Sequence, residues 1–207
     1  LIPISLSAGE SCRQINNQGL QFCTYSVDGV EEMEVEVQEK SQWCWAASIS
    51  MVFNHYNHSV SQSTIVHSIK GALVNRPGYG RELNAALNRS WIDRSGDQFY
   101  SKTKKIFKNW NAILKDLKRD RPVIIGALGH ATVVVGASAI RYPGLGGRII
   151  LQSVTVNDPW PYNGRSAGRR TLRATEVMSL QYVARISVGD GSDEVTVEYI
   201  KKPKRWI

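Results

Sequence analysis

Apolar and polar positions alternate with period two in residues 20–37, where LQFCTYSV and EEMEVEV flank Asp28-Gly29. Met33, Val35 and Val37 interleave with glutamates, so the pattern predicts a hairpin with one apolar and one acidic face. From about Gln42 the period changes. Trp45, Ile49, Val52, Phe53 and Tyr56 then fall at helical spacing, on one side of a helix whose start Ser41 is placed to cap. A second helix is expected from near Ser61 to Gly71, and a third over RELNAALNRSW at 81–91.

Beyond Lys108, NWNAILKDLKRD reads as an amphipathic helix, and RPVIIGALGHATVVVGASA as two strands joined near Gly129. IILQSVTV, a short helix near Glu176, YVARISV and EVTVEYI follow. Helices first and strands last is the order of an α+β protein, with a helical layer on an antiparallel sheet. The expected organisation is one domain over 1–207: an N-terminal extension or hairpin at 1–37, a helical lobe at 38–92 and a β-sheet lobe at 93–207.

Composition narrows the function classes. With 42% hydrophobic and 21% charged residues, and no apolar run near the roughly 20 residues that a membrane span needs, no spanning helix is expected. Leu1 is followed by no basic-then-apolar leader, so any export signal is expected to be gone already. The net charge of +8 is uneven: residues 1–40 hold seven acids against Arg13 and Lys40, which leaves +13 on the rest. No nucleic-acid motif accompanies that charge. It reads as a solvated basic face, and nucleic acid is not expected as a partner.

Cys44 sits at the predicted helix start in QEKSQWCWAAS. Free backbone N–H groups and the helix dipole stabilise a thiolate there, although a small buried cysteine fits the same position. His130 opens an apolar strand in GHATVVVGA, with small residues before it that leave room beside the ring. His55, His58 and His67 fall instead within or near helical surface patterns, so His130 is the candidate base. Asp158, in VTVNDPWP, precedes a proline that biases it towards extended backbone. A carboxylate at that strand end suits an imidazole partner; read alone, Asp-Pro is an ordinary turn.

Together these three stretches resemble the papain-like cysteine peptidases, over about Gln38 to Trp160. The order Gln, Cys, His, Asp/Asn matches that family. The resemblance implies an α+β papain-like fold, with the nucleophile helix packed against a C-terminal antiparallel sheet. It implies Gln38 in the oxyanion hole, Cys44 as nucleophile, His130 as proton carrier and Asp158 as its orienter, with Trp160 shielding the histidine's hydrogen bond. Papain has asparagine as orienter. The Asp-Pro form looks more like bacterial relatives, including peptidase domains of bacteriocin exporters and certain plant-pathogen effector proteases. Asn157 stands as the alternative orienter and Gln42 as the rival to Gln38.

The implied activity is hydrolysis of peptide bonds through a thioester acyl-enzyme, with a protein or peptide substrate. Two other readings share the residues: a deamidase or acyltransferase toxin acting on a side-chain amide, and a non-catalytic basic binding module. Cys12 and Cys23 fit one disulfide that leaves Cys44 free, as in an exported thiol enzyme; two unpaired cysteines are the alternative. No Cys/His spacing suits zinc, and neither metal nor cofactor is expected.

Overall fold

The computed structural model describes residues 8–105, 109–161 and 168–190. Its strands are β1 (Gly9–Gln14), β2 (Gln21–Ser26), β3 (Arg89–Ile92), β4 (Gln98–Lys105), β5 (Val123–Ala127), β6 (His130–Tyr142), β7 (Arg148–Asp158), β8 (Gly168–Thr171) and β9 (Leu180–Asp190). The helices are α1 (Cys44–His55), α2 (Gln62–Lys70), α3 (Gly80–Ala86), α4 (Trp110–Leu117) and α5 (Ala174–Met178). All strand pairs are antiparallel and form one sheet, in the order β1-β2-β6-β5-β9-β4-β3. β7 pairs with β6, and β8 with β7.

β6 organises this sheet because it is long. Its first half pairs with β5, its second half with β2, and β7 runs along its opposite edge. The apolar run from Ala131 to Ala137 is buried throughout, as expected of a strand covered on both faces. A two-residue turn, Leu128 (φ 51°) and Gly129 (φ 76°), joins β5 to β6. Positive φ at both positions is the geometry whose twist matches a tight hairpin.

α1 packs on β6 and is buried almost all round: Trp45 through Phe53 are all shielded. Ala46 and Ala47 are fully buried. The expected cap at Ser41 does not form. Trp43 is the residue before the helix and makes no side-chain cap bond, while Ser41 Oγ accepts from Asn75 Nδ2 at 2.9 Å. α2 follows its pattern, with Ser61 accepting from the Thr64 N–H and Gly71 closing the helix at φ 75°.

Two further expectations are corrected. The hairpin at 20–37 is absent, because β2 pairs with β1 and β6, while residues 31–37 form no strand. Met33 and Val35 pack on the core instead, and Glu36 accepts hydrogen bonds from Ser50, Asn54 and Gln62, so the segment lies across α1 and α2. Secondly, the third helix stops at Ala86, and Arg89–Ile92 is an edge strand that buries Trp91 beside Phe53. The N-terminal strands β1 and β2 join the same sheet through β6, and Cys12 and Cys23, opposite one another, are linked by a disulfide. EVTVEYI lies outside the described residues.

Candidate active site

Cys44 is the first residue of α1, half-buried between the buried Trp43 and Trp45. The two indoles do more than exclude water. Trp43 Nε1 donates to the Val74 carbonyl at 2.9 Å and Trp45 Nε1 to the Arg76 carbonyl at 3.3 Å, so both hold the loop after α2 against the helix start. Gly78 lies on the Trp45 ring, so close that a Cβ there would stand about 2.5 Å from the indole carbons. Lys70 completes the clasp: its Nζ donates to the Pro77 carbonyl at 2.9 Å, pairs with Glu82 and sits over the Trp45 ring.

His130 is the first residue of β6 and Asp158 the last of β7. His130 Nε2 lies 2.6 Å from Asp158 Oδ1, and the imidazole also hydrogen-bonds the Cys44 thiol. With Nε2 committed to the carboxylate, Nδ1 is the nitrogen left for sulfur. Burial disfavours the charged ring, but the hydrogen bonds to Asp158 and Cys44, and the charges they carry, outweigh it and hold the His130 pKa up at about 9. The Asp158 carboxyl is also subject to burial, which raises its pKa, yet His130, the Trp160 N–H and Arg170 together bring it below its usual range.

Asn157 does not face the histidine. It is buried on the other side of β7, where its Oδ1 accepts from Arg169 Nε at 3.1 Å, as alternation along a strand requires. Trp160 meets the His130 ring edge-on, with centroids 5.6 Å apart, beside the hydrogen bond to Asp158.

Gln38 is buried at 3% exposure, and its backbone N–H donates to the Pro159 carbonyl at 3.0 Å, which ties it to the end of β7. Its Nε2 donates to the Lys40 carbonyl at 2.9 Å; an amide nitrogen carries a second hydrogen that this bond does not use. Gln42 is exposed, and its backbone N–H goes to Asn75 Oδ1. The remaining histidines are elsewhere: His55 pairs with Asp120, His58 pairs with Asp93 and stacks on Phe99, and His67 is exposed.

Sequence reasoning missed one charged neighbour. Arg170, on β8, donates from Nε to Asp158 Oδ2 at 2.6 Å. The Arg169-Arg170 pair was the available signal, since neighbours on a strand face opposite ways. Among the described residues the grouping with metal-ligand spacing is Glu10, Cys12 and Cys23. Its sulfurs are joined to each other and Glu10 pairs with Arg141 and Lys118, so it offers no thiolate to an ion.

The profile of the Peptidase_C39 like family matches residues 30–186, more than half of the chain. The chain belongs to the Peptidase_C39 like family. It is accordingly a cysteine peptidase acting on protein or peptide, and neither the side-chain amide reading nor the binding-module reading finds support in that membership. The family match begins after β2, so the disulfide-linked strands lie outside it. Among solved structures, the peptidase domain of Streptococcus ComA, described as a bi-functional ABC transporter in a quorum-sensing pathway, is similar at TM-score 0.51 and 15% identity. The alignment covers 76% of this chain and 98% of that one, and it supports the papain-like fold of this peptidase. No curated protein matches the chain. No helix of the described residues is long and apolar enough to cross a membrane.

Proposed function

We propose that Cys44 is the nucleophile of this peptidase, His130 its proton carrier, Asp158 the orienter of His130, and Gln38 a donor to the oxyanion. The observation that carries this reading is the continuous row of contacts from the Cys44 thiol through the imidazole to Asp158 Oδ1. Attack of the sulfur on a peptide carbonyl forms the C–S bond and places charge on oxygen. The Gln38 amide and the Cys44 backbone N–H, free at the first turn of a helix, are the donors that meet it. His130 passes its proton to the leaving amine as the C–N bond breaks, leaving a thioester. Water, deprotonated by the same imidazole, then hydrolyses that thioester and the thiolate returns.

Digestion of a peptide library by the protein and by Cys44→Ala tests the assignment. New peptide termini from the first and none from the second, with both folded, is the expected outcome. Equal turnover by the variant would remove Cys44 from the mechanism. Covalent capture of Cys44 by an active-site-directed epoxide is the matching chemical test.

The reading extends to location. The Cys12–Cys23 disulfide, beside a free Cys44, supports work in an oxidising compartment as a secreted or exported protein, where such bonds persist. A free-thiol titre of three per molecule in protein taken directly from its source cell would argue against it.

A further inference from the structure

Both carboxylate oxygens of Asp158 are committed. Oδ1 accepts from His130 Nε2 and, at 2.9 Å, from the Trp160 backbone N–H. Oδ2 accepts from Arg170 Nε at 2.6 Å. The same guanidinium turns its other two nitrogens to Glu176, Nη2 to Oε1 at 2.7 Å and Nη1 to Oε2 at 3.0 Å. Glu176 is itself fixed: it is buried and accepts from the Arg173 backbone N–H at 2.8 Å and from Arg173 Nε at 3.2 Å, where α5 begins. A planar fork held at three nitrogens by two carboxylates has one orientation. The plane of the Asp158 carboxylate is therefore set from the first turn of α5.

We propose that Arg170 and Glu176 form a positioning pair for the peptidase reaction: Arg170 locks the Asp158 carboxylate facing His130, and Glu176 offsets the charge by which Arg170 would weaken that carboxylate's hold on the imidazolium. The inference rests on the roles given above to Cys44, His130 and Asp158. Its basis is that Arg170 has two opposed effects. Fixing the carboxylate favours the imidazolium, whereas a positive charge one residue beyond it disfavours the imidazolium. Glu176 removes the second effect and leaves the first. The outcome is a row of alternating charge contributed by five elements: Cys44 on α1, His130 on β6, Asp158 on β7, Arg170 on β8 and Glu176 on α5, with Arg173 at its outer end. Arg169 takes no part, being bound to Asn157, the Met33 carbonyl and Glu31.

Cys44 is the free cysteine of the three, so its alkylation by iodoacetamide, followed by intact mass, reads the Cys44–His130 pair without a substrate. Arg170→Met combined with Glu176→Gln removes the positioning pair at unchanged net charge. The double variant, folded by circular dichroism, is expected to alkylate at pH 6 at least about fivefold more slowly than the parent, because less thiolate is paired with imidazolium. Its His130 imidazole should titrate at lower pH by NMR. Glu176→Gln alone moves that titration the same way, and Arg170→Lys, which keeps the charge but not the fork, falls between. Parental alkylation and titration in the double variant overturn the proposal, whatever happens to its melting temperature. Should the double variant not fold, Arg170→Lys and Glu176→Gln decide: parental behaviour in both overturns it, and the shifts described support it. Failure of the underlying roles looks different, because Asp158→Ala would then also leave alkylation and cleavage unchanged.

Discussion

Asp158 closes β7 where His130 opens β6, and the two side chains meet at 2.6 Å. The antiparallel register, with Val133 opposite Asn157, brings these strand ends together, so the sheet itself sets the distance between the carboxylate and the imidazole. Cys44 comes to the same point from the other layer, because α1 packs on β6 and begins there.

Asp158→Ala should lower kcat by at least about 10²-fold, the lower range for a positioned acid–base group, while KM changes little. Steady-state cleavage of a peptide found in the library screen measures both. A rise in KM of the same size with kcat intact would move Asp158 to substrate binding.

Activity should fall as pH rises through about 9, where His130 gives up its proton and the imidazolium that neutralises the thiolate is lost. The folded pKa lies above the unfolded value of 6.5, so the pair's contribution to stability is complete below 6.5 and disappears as pH passes about 9. Asp158 acts in the opposite sense. Its depressed pKa gives stability that is present above 3.8 and lost as pH falls through the folded value. A kcat/KM profile and melting temperatures across pH check both limbs; an alkaline limb near 6.5 would contradict the His130 contacts.

Gln38→Ala is expected to reduce kcat by about 10²–10³-fold, or ~2.7–4 kcal/mol, the effect of losing one oxyanion donor. Thermal melting separates that loss from any effect of opening the buried contact to the Lys40 carbonyl. Gln42→Ala, altering an exposed side chain, should leave kcat within a few-fold.

Gly78→Ala should shift the loop off Trp45, since the indole ring leaves no space for a methyl group. A cost of about 1–3 kcal/mol is typical of such overpacking. Denaturant unfolding measures the stability, and a rise in KM would show that this loop borders the substrate.

Cys12→Ser with Cys23→Ser should cost about 3 kcal/mol of stability, the entropy of an unfolded loop of this length. The disulfide joins edge strand β1 to β2, which pairs with the far half of β6, so cleavage per folded molecule should be retained. Urea unfolding with parallel assays tests both statements.

That Cys44, His130 and Asp158 come together was legible from the order of three stretches, which resembles the papain-like peptidases. Read singly, Cys44 at a helix start also suits a small buried thiol and Asp158 before a proline an ordinary turn. Competition at longer range was not legible. Asn75, thirty-four residues on, engages Ser41 Oγ, which makes no cap bond to α1, and the alternating EEMEVEV found core contacts and helix side chains rather than a strand partner. β1 escaped notice because GESCRQ is mostly exposed edge strand with no apolar period to betray it. Beyond the bare Arg169-Arg170 pair, nothing local tied Arg170 to Asp158: it follows by twelve residues, and β8 lies beside β7 only once the sheet exists.

α1 has scarcely any face of its own to offer solvent. Its sulfur is therefore seated on a helix walled in by the core, like a tooth set in bone. Whatever flexing admits a polypeptide must come from the loops and strand ends around that point, and differences in appetite among relatives should be sought in those surroundings rather than in the helix.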